Sequence, residues 1–130
     1  MQIKTGIDII EVDRIKKSIE DLGEKFIKKI YTEKEIKYCE SKKNNKYQHY
    51  AARFAVKEAT FKAISTLLID KYNISWKNIE TLNDENGKPK VQFECLDKVS
   101  EENLNKIISM DVSISHIKEY AVASVSLIIE

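Results

Sequence analysis

Glycine and proline are scarce in this chain, with three and one among 130 residues. Phosphate binding by a glycine-rich loop is thereby excluded, and no Walker A, GxGxxG, HExxH or GxSxG pattern is present. Any phosphate must be held by a metal and by basic side chains. Cysteine is scarce too: Cys39 and Cys95 are too few for a disulfide framework, no CxxC or Cys/His cluster has metal spacing, and both read as reduced thiols. No run approaches the ~18 apolar residues of a membrane span. The opening Met-Gln-Ile-Lys-Thr-Gly lacks the long apolar stretch of a secretory leader. The expectation is a soluble, cytoplasmic protein with no membrane partner. A strong excess of one charge is also missing, the net being +1, and no strand interleaves exposed aromatic and basic residues, so nucleic acid is not an expected partner.

Charged and apolar residues are plentiful instead. At 33% charged and 42% hydrophobic, residues 1–130 suit one compact domain with no evident linker or repeat. The charge is unevenly spread: Arg14 to Lys46 holds eleven basic and six acidic side chains, a net of +5 that leaves −4 for the rest. A basic surface facing an acidic partner and lysine-rich helices that merely solvate the fold both account for this.

Ile3, Thr5, Ile7 and Ile9 alternate with Lys4, Gly6, Asp8 and Ile10, the period of a strand, which points Asp8 away from the Ile7 and Ile9 side. Asp13 is expected to cap a helix in which Ile15, Ile19 and Leu22 share one face and which Gly23 ends. Arg14 and Lys17 then lie on the opposite face. A short helix around Lys25 to Ile30 buries Phe26, Ile27 and Ile30, and Thr32-Glu33-Lys34-Glu35 is a capping-box pattern that opens another helix to about Ser41. The longest helix runs from about Lys46 to Thr66. Ile79 to Asn83 and Lys90 to Glu94 read as strands joined across Asp84-Glu85-Asn86-Gly87-Lys88-Pro89, where Asn-Gly supplies positive-φ positions and Pro89 stiffens the exit. Leu67 to Trp76 is ambiguous, with Trp76 a packing residue or a ligand platform. A helix from about Leu96 to Ile108 keeps Leu96, Val99, Leu104 and Ile107 for the core, and two β-patterned arms close the chain, Asp111 to His116 and Tyr120 to Ile129. This order predicts an α+β fold, an antiparallel sheet with helices packed on one side.

Two carboxylates stand out against local rules. Asp8 lies in an Ile-rich strand against propensity; a functional position and a wet strand face both explain it. On the longest helix, Glu58 falls about 40° from Phe54 and about 60° from Phe61 at ~100° per residue, while Ala52, Val56, Ala59 and Ala63 form a small-residue stripe elsewhere. A partly buried carboxylate there needs a partner. A salt bridge to Lys62, one turn on, is one solution, and a bound metal is the other. His116 at a strand end is a hydrogen-bonded rim residue or a ligand contact. The turn at Lys88 is only a turn, or it exposes backbone N–H groups and the Lys88 side chain to hold a phosphate.

Four segments then combine: Gly6-Ile7-Asp8-Ile9-Ile10-Glu11-Val12-Asp13-Arg14-Ile15, Arg53-Phe54-Ala55-Val56-Lys57-Glu58-Ala59 with Lys62, Asn86-Gly87-Lys88-Pro89, and Ser113-Ile114-Ser115-His116. In this order they resemble the small bacterial-type 4′-phosphopantetheinyl transferases, the holo-acyl-carrier-protein synthases, over essentially the whole chain. The resemblance implies transfer of the phosphopantetheine arm of coenzyme A to a serine of apo acyl carrier protein, with release of adenosine 3′,5′-bisphosphate, in support of fatty acid biosynthesis. It implies Mg2+ as cofactor, held by Asp8 and Glu58, with Glu58 as base and Lys62 stabilising phosphate charge. Arg53, Lys62, Asn86, Gly87, Lys88, Pro89 and His116, with Lys46, become coenzyme A contacts by motif position. Carrier docking falls to Arg14, with Lys17, Lys25 and Lys28 beside it. Short members of the family look like homotrimers with the site between subunits, and a chain of this length holds one unit.

Three departures accompany the likeness. Ser65-Thr66-Leu67 stands where the family commonly has Gly-Thr-Gly, Ala52 replaces a frequent glycine, and Asn44-Asn45 occupies a loop that is often more basic. Two other functions compete on the residues alone: a non-catalytic module whose basic helices hold an acidic protein or, less in keeping with its strands, RNA, with Asp8 and Glu58 structural, and a different Mg2+-dependent nucleotide-processing enzyme. Neither forms a covalent product from coenzyme A.

Overall fold

In the computed structural model, which describes residues 1–70 and 73–130, the chain runs β1 (Gln2–Glu11), α1 (Val12–Leu22), α2 (Glu24–Ile30), α3 (Glu33–Glu40) and α4 (Lys46–Ile64). It continues through β2 (Ile79–Asn83), β3 (Pro89–Phe93), α5 (Lys98–Leu104), β4 (Ile107–His116) and β5 (Tyr120–Ile129). The α+β class is the expected one. The strands form two sheets rather than one: β1-β5-β4, all antiparallel with β5 central, and a separate β2-β3 hairpin.

The core lies between α4 and the three-stranded sheet. Alternate residues of β5, including Ala123, Val125 and Leu127, are buried against Ala55, Val56, Ala59 and Ala63 of α4. Small residues on both sides let the helix lie close to the strands. The tightest approach is at Gly6, where an added side-chain carbon would stand 1.9 Å from the Ala59 carbonyl oxygen. The alternation of β1 is as expected but its sides are reversed from the usual apolar-inside pattern. Gly6 and Ile10 turn inward, whereas Ile3, Ile7 and Ile9 are 72%, 63% and 66% exposed.

Several local expectations are corrected. Glu11, not Asp13, stands at the N-cap of α1, without a side-chain cap, and Asp13 lies in the first turn, where its charge meets the positive end of the helix dipole. Gly23 ends α1 at φ 59°, its N–H donating to the Ile19 carbonyl. Leu22 is exposed, so the buried side of α1 is Val12, Ile15 and Ile19. The helix α5 is shorter than its pattern, capped by Asp97 and complete at Leu104. Val99 is exposed and Ile107 opens β4, because pairing with β5 satisfies the backbone from there on. In the β2-β3 turn only Gly87 has positive φ, at 80°. Asp84 organises that turn, its Oδ1 accepting from the N–H groups of Asn86 and Lys88 at 2.8 and 2.9 Å. The capping box of α3 forms as the sequence predicts. The helix α4 stops at Ile64 and gives way to one 3-10 turn over Ser65–Leu67. No helix among the described residues is long and apolar enough to cross a membrane.

Candidate active site

Because Gly6 admits the backbone of α4, the next inward residue of β1, Asp8, comes beside the helix face carrying Glu58 and Lys62. These three, with Arg14, Phe26 and Phe54, line a cleft of about 490 Å3. The Asp8 side chain is 17% exposed, and the Lys62 ammonium lies 3.3 Å from its Oδ1 while donating to the Ile7 carbonyl at 2.8 Å. The salt bridge of Lys62 thus runs to Asp8 across two elements, not to Glu58 one turn away. Burial and then the Asp8 charge hold the Glu58 carboxyl above the usual glutamate value, with Lys62 opposing. A carboxylate so placed is a stronger base than a free one.

The same arrangement offers carboxylate oxygens to a hard cation. No group of three or more His, Cys, Asp or Glu able to hold an ion is assembled among the described residues. Two carboxylates facing one open cleft fit Mg2+, which commonly takes one or two carboxylates and completes its shell with waters and phosphate oxygens. Mutual repulsion of Asp8 and Glu58 is the force such a cation relieves. Next to the cleft, and sharing Lys62 with it, is an apolar cavity of about 520 Å3 lined by Phe61, Leu68, Ile74 and Trp76 with Ser65 and Ser75. Ser65 of the departing Ser-Thr-Leu segment is therefore part of a wall.

The remaining expected residues lie in other places on the chain. Arg14 stands at the rim of the cleft and continues into a groove of α1 with Lys17 and Ser18. Lys25 and Lys28 are exposed on α2, Lys28 pairing with Glu24 at 3.4 Å. His116 meets Gln48 through Nδ1 at 2.8 Å and packs its ring on His49 at 4.9 Å. Burial and His116 push the His49 imidazole down to about 4. Lys46 pairs with Glu40 at 3.4 Å. Lys88, on the hairpin with Asn86, Gly87 and Pro89, pairs with Asp111 at 2.8 Å. Arg53 is 3% exposed, its guanidinium 3.9 Å from the Tyr38 ring centre and bonded to Asn83 at 2.8 Å. The direct ligand contact expected of Arg53 is not open in the single chain; through Asn83, whose Nδ2 donates to the Gly87 carbonyl at 3.0 Å, it braces the hairpin turn.

Phe26, Ser18 and Ile10 also line the carboxylate cleft, and the sequence carries no signal for them beyond the apolar spacing of Phe26 and Ile10. Asp84 was findable, since Asp at the head of a turn commonly binds the backbone two residues on.

The profile of the 4′-phosphopantetheinyl transferase superfamily matches residues 4–125. A holo-acyl-carrier-protein synthase of Ruminiclostridium cellulolyticum is 48% identical over 123 residues, which cover 95% of this chain and 90% of the relative. Among solved structures, a holo-acyl-carrier-protein synthase from Bacillus anthracis in complex with CoA (3′,5′-ADP) is 38% identical, with a TM-score of 0.74 over 95% of this chain and 94% of that one. The Helicobacter pylori holo-acyl-carrier-protein synthase in complex with coenzyme A is 29% identical, with a TM-score of 0.77 over 95% and 98%. Matched along nearly its whole length and carrying its two carboxylates in one cleft, the chain belongs to the 4′-phosphopantetheinyl transferase superfamily, among the holo-acyl-carrier-protein synthases.

Proposed function

We propose that this protein transfers 4′-phosphopantetheine from coenzyme A to a serine of an apo acyl carrier protein, with Mg2+ as cofactor. The observation that carries this reading is the convergence of Asp8 from β1 and Glu58 from α4 on one cleft, with Lys62 and Arg14 at its edges. The serine oxygen attacks the phosphorus that bears the pantetheine arm. The bond from that phosphorus to the bridging oxygen breaks, and adenosine 3′,5′-bisphosphate leaves with the bonding pair. Glu58 takes the serine proton. Lys62 is half exposed and so free to turn from Asp8 toward the phosphate oxygens. Mg2+, held by Asp8 and Glu58, supplies positive charge to the pyrophosphate when bound. Arg14 meets the acidic carrier at the mouth of the same cleft, with Lys17, Lys25 and Lys28 steering it.

The working form is a homotrimer, acting in the cytoplasm in support of fatty acid biosynthesis. Two features support assembly. Lys46, Lys88 and His116 do not line the carboxylate cleft of their own chain, and copies presented by a neighbouring subunit would bring them to coenzyme A bound there. The exposed Ile3, Ile7 and Ile9 form an apolar strand face suited to burial between subunits. Incubation with apo carrier protein, coenzyme A and Mg2+, read by intact mass, should show the carrier gaining one phosphopantetheine. No gain would refute the transferase reading. Solution mass should correspond to three chains, and co-assembled Asp8→Asn and His116→Ala chains should regain part of the activity; a fully active monomer would refute the shared site.

A further inference from the structure

Next to Glu58 on α4 lies a lysine that the transfer step does not use. Lys57 is fully buried. Its ammonium stands 2.7 Å from Glu35 Oε1, which is equally buried, and donates to the carbonyls of Trp76, at 2.9 Å, and of Ile79. All three of its protons are thereby used. Glu35 in turn accepts from the Thr32 N–H at 2.9 Å and, through Oε2, from the Thr81 N–H at 2.9 Å. One ion pair therefore ties the start of α3, the middle of α4, the segment at Trp76 and the strand β2.

Stability alone is a weak reason for such a pair, since apolar replacements of buried ion pairs are often neutral or better. Orientation is a stronger one. The face α4 presents to the sheet is made largely of alanines, Ala52, Ala55, Ala59 and Ala63, whose small, uniform shapes do little to fix rotation of the helix about its axis. The directional bonds of Lys57 do fix it. They also hold the Trp76 backbone, and the Trp76 ring stacks on Phe54 at 5.0 Å and meets Phe61 edge-on at 5.9 Å. Phe54 lines the carboxylate cleft and Phe61 the adjoining cavity.

We propose that Lys57, paired with Glu35, is a positioning residue that sets the rotation of α4 and the Trp76 wall so that Glu58 faces Asp8. This rests on the transferase reading above. The test uses the full chain as Lys57→Met and as Lys57→Met with Glu35→Gln, the second leaving no buried net charge. Titration calorimetry with Mg2+ well below the melting temperature and steady-state transfer kinetics are run on both. Mg2+ should bind about tenfold more weakly, as when groups that orient metal ligands are lost. Turnover should fall about 100-fold, as for a misplacement of ~1 Å. The KM for carrier should stay within about twofold, because Arg14 is untouched. Charge alone predicts the opposite metal effect in the single variant, since removing a cation near the site would tighten Mg2+ binding, and no effect in the double variant, whose net charge is unchanged. Folded variants with native or tighter Mg2+ affinity and native turnover would overturn the proposal. So would failure of both variants to fold, which would make the pair a purely structural requirement. If the unaltered protein neither binds Mg2+ nor modifies the carrier, the transferase reading falls, and this one with it.

Discussion

Replacing Gly6 by alanine adds one methyl group at the point where β1 and α4 are closest, and its effect can be worked from the structure. The new carbon would stand 1.9 Å from the Ala59 carbonyl oxygen and 2.9 Å from both the Ala59 carbonyl carbon and the Ala63 nitrogen. All three neighbours are backbone, so no rotamer change relieves the clash. Opening the shortest contact to 3.0 Å requires strand and helix to part by about 1.1 Å. The strand cannot move alone, because it is paired with β5 from Gln2↔Ile129 to Glu11↔Tyr120. Overpacking of this kind costs about 1–3 kcal/mol. At roughly 4 °C per kcal/mol for a domain of this size, the melting temperature should fall by about 4–12 °C. Asp8, two residues along the same face, is carried away from Glu58, and a displacement of ~1 Å lowers turnover by about 100-fold. Gly23→Ala is the control: the position has φ 59° and ψ −136°, outside the left-handed helical region, with nothing within 4 Å, so it should cost about 1–3 kcal/mol of backbone strain and leave turnover unchanged. Thermal melts and the rate of carrier mass gain on the two variants decide the matter. A Gly6→Ala protein that melts and turns over like the native chain would refute the claim that this glycine brings the carboxylates together.

Two further outcomes are expected. Glu58 holds its proton more tightly folded than unfolded, so its contribution favours the fold at low pH and is lost as pH rises from the ordinary glutamate value through the raised one. Near neutral pH its charge is a net cost. Glu58→Gln should therefore melt at the native temperature or higher at pH 7 while losing transfer, and Mg2+ should raise the melting temperature of the native chain but not of this variant or of Asp8→Asn. A clear loss of stability with activity retained would instead mark Glu58 as structural. Arg14→Ala should raise the KM for carrier far more than that for coenzyme A, and added salt should mimic it; equal effects on both substrates would refute docking at the mouth of the cleft.

Local sequence determined the elements whose signal is local. The Thr32 to Glu35 capping box, the Gly23 stop, the long α4 and the alternating pattern of β5 each depend on residues within a few positions, and each formed. The two carboxylates also stood out in sequence, because each breaks a local rule. Only the tertiary structure decided which side of β1 faces in, since period-two alternation marks two sides without saying which is buried. The Gly6 contact with α4 settled that choice and left the isoleucines outside. It decided the partner of Lys62 as well: helix spacing suggests Glu58, but β1 brings Asp8 and the Ile7 carbonyl closer. Glu35 reads in sequence as a capping-box residue, and the same side chain also ends in a buried ion pair with Lys57, a contact between residues 22 positions apart that no local pattern encodes. Arg53 shows the same limit. Motif position singles it out, but only the fold shows its guanidinium on the Tyr38 ring and bonded to Asn83, because a side chain's direction is set by what the rest of the fold places around it.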